Sequence, residues 1–490
     1  MSAADHSSLE KSGFPAPTPS ARSEEELVDQ QASDKALVRK IDRRLVPILS
    51  ALYLVNFLCR SNIGNAKTFG LLTDLHVSNE LYPHALAAFY YPYVASQIPS
   101  NTVLKRWRPK CWLPLICFCW GICQIFMCFV KTYNELWGAR VVLGALEGGL
   151  FPGVSLYITL WYPKRECGFR GAVFFSAATV AGAFSGLLAR LFSLMDGLGG
   201  MAGWQWIWIM EGIIAVLVAV LAFFILEDYP DTAKFLTPDE RARVVQRLAE
   251  DNEGLSSEWK SHFAWSAPKD IKIWLQAIVF FCVLTPTYGL SLFMPTIIAN
   301  MGYTSGIANL LTVPPFVFGC IICCLGGWYS DRFNTRFAPL VAFFSTAIVG
   351  FILLITSNEV AAQYIGTFLA AAGIYSTVPI SSMWAGNNMG GKTKRTVGIG
   401  MTICFGNMGG VVCSYLFPAA DSPRFFMGYG IMIGLCCVGI VSCAILRLYM
   451  EKQNSLRDAE DARLERVWNA KTMAEYKDMG DHAPFFRYKL

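Results

Sequence analysis

Twelve stretches of largely apolar residues divide this 490-residue chain, at approximately 44–64, 82–103, 111–130, 135–158, 169–192, 206–227, 273–298, 309–329, 338–357, 362–385, 396–418 and 425–449. About 20 apolar residues is the length a helix needs to cross the hydrocarbon core of a bilayer. Inside that core every backbone N–H and C=O must find a partner, and a run of this length meets the demand as a helix. The expected fold class is therefore an all-α membrane protein with twelve transmembrane helices in two six-helix halves. Composition agrees, with 16% charged residues against about 25% in soluble domains. Most of the 16 cysteines, among them Cys117, Cys123, Cys320 and Cys436, sit inside apolar runs, where cysteine acts as a small hydrophobe rather than a disulfide partner.

An even number of spans puts both termini on one side. Loops on that side carry Lys105, Arg106, Arg108, Lys110, Lys164, Arg165, Arg170, Arg332, Arg336, Lys392, Lys394 and Arg395, whereas the opposite loops carry Lys67, Lys131 and Arg424. Basic residues concentrate in cytosolic loops, so both termini are expected in the cytosol. The same bias accounts for the net charge of +5 without a nucleic-acid partner. Five regions follow: a disordered cytosolic tail over 1–40, a first half over 41–227, a polar linker over 228–272, a second half over 273–449, and a cytosolic tail over 450–490, helical in part to about Tyr476. In the linker, Thr237-Pro238-Asp239-Glu240 has the residues of a helix start, and Val244, Val245 and Leu248 give that helix an apolar side. The halves echo each other, with Gly148…Pro152 in the fourth span and Gly373…Pro379 in the tenth. Paired repeats with a site between them are the plan of many secondary transporters.

Charges inside spans are costly unless they face a partner or an aqueous path, so they mark candidate sites. Arg140 and Glu147 stand seven residues apart, two helical turns, and so point to the same side roughly 10 Å apart along the axis. Two readings stay open: a static salt bridge, or a glutamate that alternates between protonated and ionised states. Arg60, late in the first span, offers a fork that matches a carboxylate bidentately; it is a substrate contact or a structural charge. Glu211 in the sixth span is a second proton-coupling candidate or a structural acid in an interfacial aromatic belt. Asn387, Asn388 and Asn407 are amides at or inside span ends that suit a substrate, Asn407 best of the three. Ala178, Gly182 and Gly186 recur every four residues as a helix-packing stripe, with Arg190 above them reaching for the surface.

Gly386-Asn-Asn-Met-Gly-Gly391-Lys392-Thr393 satisfies the phosphate-loop spacing, but the motif needs a strand before it and a helix after it in a soluble α/β domain. Membrane spans flank it instead, so no ATP binding is expected. No metal-ligand spacing or nucleophile elbow occurs, neither soluble piece is large enough for a catalytic domain, and neither an enzyme nor a cofactor is expected.

Gly327-x-x-x-Asp331-Arg332-x-x-x-Arg336 resembles the loop signature of the major facilitator superfamily, and Arg140-x-x-x-Gly144-x-x-Glu147-Gly148-x-x-x-Pro152-Gly153 resembles its fourth-helix signature. More narrowly, Arg60-Ser-Asn-Ile-Gly-Asn-Ala-Lys67, Trp161-Tyr-Pro-Lys-Arg165, Trp206-Ile-Trp-Ile-Met-Glu211-Gly212, Gly406-Asn407-x-Gly-Gly410 and Phe486-Arg-Tyr488 are similar to the fungal allantoate permease family of the anion:cation symporter branch. The resemblance implies proton-driven uptake of a small organic anion such as nicotinate, pantothenate, biotin or allantoate across a plasma membrane. It also implies that Asp331, Arg332 and Arg336 form a conformational loop. Relatives usually begin the first-helix motif with Asp-Arg; here it is Cys59-Arg60, which either shifts proton coupling to Glu147 or Glu211 or weakens it. An exporter on the same fold and a non-transporting sensor are the competing classes.

Overall fold

The computed structural model describes residues 24–251, 266–333, 335–390, 392–422, 424–464, 468 and 476–490. Among them every regular element is helical. Eleven helices are long and apolar enough to cross a membrane. The 25-residue helix Tyr82–Arg106 stands in the remaining place of the twelve expected, its apolar character diluted by Ser96, Gln97, Ser100 and Asn101. The chain is a multi-pass membrane protein.

Residues up to Arg44 group as one unit and Leu45–Leu490 as another. In the first, residues 24–40 are helical, since the first helix runs over Glu24–Thr68; the reading of 1–40 as a disordered tail is corrected there, and 1–23 lie outside the described residues. Ser, Ala and Glu lower apolarity without opposing a helix, so composition alone placed the boundary too late.

Within the second unit the halves repeat one packing scheme. The second span (Tyr82–Arg106) packs on the fourth, and the third (Pro109–Phe126) on the sixth (Gly203–Ile225); the eighth (Ser305–Leu311 with Val313–Arg332) packs on the tenth (Val360–Asn387), and the ninth (Phe337–Thr356) on the twelfth (Phe426–Arg463). Adding six to each number in the first half gives the pairing in the second. Between halves, the fifth span (Lys164–Ser193) meets the eighth and the eleventh (Lys392–Asn407 with Gly409–Ser414) meets the second, the pattern of a pseudo-two-fold arrangement.

The halves touch closely at the end of the bundle remote from the linker. A Cβ on Gly182 would stand 2.8 Å from two ring atoms of Phe316, and one on Gly64 or Gly186 would overlap the backbone carbonyl of Leu292 or Asn309. Asn309 Nδ2 also donates to Thr68 Oγ1 at 3.0 Å. The expected stripe on the fifth span is thus the seam between halves, and Arg190 is exposed above it.

At the linker end, the helix Pro238–Asp251 starts where the sequence places it, with Thr237 N donating to Glu240 Oε2 at 2.8 Å and Glu240 N to Thr237 Oγ1 at 3.3 Å. Val244 is buried and Val245 exposed, while Arg247 pairs with Glu166 at the start of the fifth span. Residues 476–490 fold back on the second half. Asn388 donates to Lys489 O at 2.9 Å and accepts from Lys489 N at 2.7 Å, and Trp384 Nε1 donates to the same carbonyl at 2.9 Å. Asn454 exchanges two bonds with the Tyr488 backbone. Beneath them Lys272 and Lys394, both buried, share Asp270 and Asp481 as counter-charges. Burial alone would push the Asp481 carboxyl up, but the two ammonium groups outweigh it and hold it below the ordinary carboxylate range.

Candidate functional site

The first helix carries Asn56 and Arg60 four residues apart, hence on one face. Opposite them the fourth span is two helices, Tyr133–Glu147 and Leu150–Trp161. Pro152 has no N–H to return to the Gly148 carbonyl, which explains the interruption. Gly144 and Gly148 let the second span come so close that a Cβ on either would overlap the carbonyl of Phe89 or Tyr93. Glu147, the last residue of the outer segment, is thereby set against the first helix. Asn56 Nδ2 donates to Glu147 Oε2 at 3.2 Å, Arg60 Nη2 donates to Asn56 Oδ1 at 3.1 Å, and Arg60 Nη2 lies 3.5 Å from Glu147 Oε2.

The second half completes the cluster. Arg60 Nη1 donates to the Tyr288 hydroxyl at 3.4 Å, and that hydroxyl donates to Asn407 Oδ1 at 2.5 Å. Three rings surround the guanidinium, with centroids 4.4 Å (Tyr93), 5.4 Å (Phe89) and 5.6 Å (Tyr288) from Arg60 Cζ. Arg140 faces the same Phe89 ring at 4.7 Å. It is 1% exposed, and its Nε and Nη2 have no hydrogen-bond partner among the described residues. Glu147 Oε1, Asn407 Nδ2 and Gln97 Nε2 are likewise buried without one. Two buried cations against one carboxylate leave the cluster with surplus positive charge, aromatic walls and free donors. Desolvated charge of this kind is expensive unless a counter-ion joins it.

Of the expected site residues, Arg60, Arg140, Glu147 and Asn407 come together here. The partner of Glu147 is Arg60, not Arg140, so the static Arg140–Glu147 bridge does not form. Glu211 stands elsewhere: it is buried and accepts from Asn62 Nδ2. Asn62 is two residues from Arg60, about 200° around the helix, so the two acids lie on opposite sides of the first span. Asn387 ends the tenth span at the linker end, and its neighbour Asn388 holds the backbone of Lys489; neither amide joins the cluster. Arg336 bonds Asp331 Oδ1 at 2.6 Å and Ser330 Oγ at 2.8 Å, while Arg332 is exposed. The phosphate-loop look-alike joins the ends of two spans, Gly391 lying outside the described residues. Asp270, Asp481 and His482 group closely enough to suggest a metal site, but two lysines already neutralise the carboxylates. Asn56, Tyr93 and Tyr288 were not singled out from sequence. Asn56, one turn before Arg60, was the most readable of them.

A family model described as Major Facilitator Superfamily matches residues 49–414. The MFS-type transporter cnsO of Penicillium expansum is 34% identical over 477 residues, 94% of this chain and 91% of that protein. A high-affinity nicotinic acid transporter of Saccharomyces cerevisiae is 29% identical over 458 residues, 93% of this chain and 85% of that protein. Among solved structures, a D-xylose–proton symporter superposes with a TM-score of 0.60 at 13% identity, covering 83% of this chain and 97% of that one; at that identity the likeness speaks for the fold alone. By the family match, the extent of these relatives and its own fold, the chain belongs to the Major Facilitator Superfamily.

Proposed function

We propose that this transporter carries out proton-coupled uptake of a small organic anion by alternating access, in the anion:cation symporter branch close to the allantoate permeases, at a plasma membrane with both termini in the cytosol. The observation that carries the reading is the sharing of Arg60 between Glu147 in the first half and Tyr288 in the second, within aromatic walls and beside the unpartnered donors of Arg140 and Asn407. A substrate carboxylate that takes Arg60 deprives Glu147 of its cation, and a buried carboxylate left without counter-charge is stabilised by protonation. Anion and proton then load together. A proton without an anion leaves two buried cations uncompensated, and an anion without a proton leaves the substrate carboxylate and Glu147 competing for the one fork of Arg60, a competition that protonation of Glu147 relieves. Arg140 and Asn407 supply further donors for the anion, and Glu147 carries the proton. The relative named as a nicotinic acid transporter makes nicotinate the first acid to try. The test is uptake of radiolabelled nicotinate, pantothenate, biotin and allantoate into yeast lacking their own permeases, with an imposed pH gradient. Accumulation that follows the gradient supports the reading; net extrusion, or uptake that needs ATP and ignores the gradient, refutes it.

A further inference from the structure

The hydrogen bond from Arg60 to Tyr288 crosses between the halves inside the cluster, and behind Tyr288 lie a proline within one helix and a break in another. Pro286 sits two residues earlier within the helix Ile271–Ala299 and cannot return a hydrogen bond to the carbonyl four residues back. The eleventh span is interrupted between Asn407 and Gly409. These two weak points face each other. A Cβ on Gly409 would stand 3.1 Å from the Thr285 backbone nitrogen and overlap its hydroxyl. The Tyr288–Asn407 bond at 2.5 Å ties them together, and the Tyr90 ring, 5.1 Å away, covers Tyr288 from the second span. Helices that bend at a proline and at a break are where a packed bundle has more than one arrangement.

We propose that Tyr288 is the positioning residue through which the second half senses whether Arg60 holds an anion. The Tyr288 hydroxyl accepts from Arg60 and donates to Asn407, so the charge pair of the first half is linked to the break in the eleventh span. An anion that takes Nη1 of Arg60 removes the hydroxyl's link to the first half. The hydroxyl keeps its bond to Asn407, and helices seven and eleven are released from the first half as one element. The inference rests on Arg60 being the substrate cation, as proposed above, and adds the route by which occupancy reaches the other half.

The experiment is hydrogen exchange on the full chain in lipid nanodiscs, read on peptides covering Tyr288 and the 405–412 segment, first with no anion present. Tyr288→Phe keeps the ring over Arg60 and removes only the hydroxyl. Protection in those peptides should fall about tenfold or more, tenfold being about 1.4 kcal/mol, since the hydroxyl's bond to Arg60 and its bond to Asn407 are both lost. Asn407→Ser should do the same. Saturating nicotinate should lower protection in the wild type and add nothing in Tyr288→Phe, because the bond it breaks is already gone. Unchanged exchange in both anion-free variants overturns the role of Tyr288. So do additive effects of variant and nicotinate, which mark a tyrosine that only packs, and so does weakened nicotinate binding in Tyr288→Phe, which marks a direct ligand. A wild type whose exchange ignores nicotinate and every other acid in the panel overturns the occupancy role together with the proposed function, whereas a failure confined to the variants leaves the proposed function standing.

Discussion

Gly182→Ala tests whether the close seam between the fifth and eighth spans is a state the transporter must visit. The added methyl would meet three atoms of the Phe316 ring at 2.8, 2.8 and 3.0 Å, whereas carbon atoms rest at about 3.5 Å or more, so something must give by about 0.7 Å. The ring has little room to turn away, being 3% exposed and edge-on to Tyr375 at 5.6 Å. Overpacking of this kind costs about 1–3 kcal/mol, and the strain is relieved where the two spans part. The state closed at this end should therefore lose population by about 5- to 150-fold. Initial rates of nicotinate uptake, or of the best acid in the panel, should show a maximal rate reduced within that range and an apparent affinity no weaker than the wild type. Gly138→Ala is the control, since no atom lies within 4 Å of the added carbon. A Gly182→Ala transporter expressed normally and running at the wild-type maximal rate would refute the reasoning, as would one that loses affinity alone.

Arg60→Lys keeps the charge but cannot span Asn56, Glu147 and Tyr288 at once; apparent affinity should fall about tenfold if roughly 1.4 kcal/mol of directional bonding is lost, and unchanged affinity demotes Arg60 to a structural charge. Glu147→Gln imitates the protonated acid, so exchange of labelled for unlabelled substrate should survive with little pH dependence between about 5 and 7.5 while uphill uptake is lost, because coupling requires that substrate and proton affinities depend on each other; wild-type accumulation in this variant moves the proton to Glu211. Asp481→Asn leaves Lys272 and Lys394 to share Asp270, and removing one partner from a buried charge cluster costs about 3–5 kcal/mol, to be read as lost thermal stability in detergent. Since the Asp481 pKa is depressed in the folded protein, its contribution is present above the ordinary carboxylate value of about 3.9 and fades as pH falls below it; a difference between wild type and variant that grows on acidification contradicts this.

The apolar runs exposed the helical architecture directly, because a bilayer leaves a long apolar run few alternatives. The ends of the helices were less legible: Glu24–Thr68 continues far beyond its apolar part, and apolarity reports where lipid stops, not where a helix does. At the site, an isolated charge in an apolar run was a sound pointer, and it found Arg60, Arg140 and Glu147. What the spacing of Arg140 and Glu147 supplied was a shared side of one helix. The actual partner, Arg60, comes from another span, and such pairing depends on tertiary packing, here on Gly144 and Gly148 admitting the second span. Tyr288 carried no signal, since a tyrosine in an apolar run usually packs. Asn387 and Asn388 misled because an amide at a span end serves a docked backbone as readily as a ligand, and nothing local tells the two apart.

The docking of residues 476–490 bears on how the protein is made. Lys272, at the head of the seventh span, and Lys394, at the head of the eleventh, are both made before residues 476–490, so one of their two counter-charges and the Tyr488 hydroxyl arrive only with this segment. Until then two ammonium groups share one carboxylate, so the second half passes through insertion incompletely neutralised and locks after its last helix is in place. A shortened chain ending near residue 475 should insert all its helices and still be retained and degraded by cellular quality control, and fluorescence microscopy of a tagged truncation alongside the full chain would show whether it reaches its membrane.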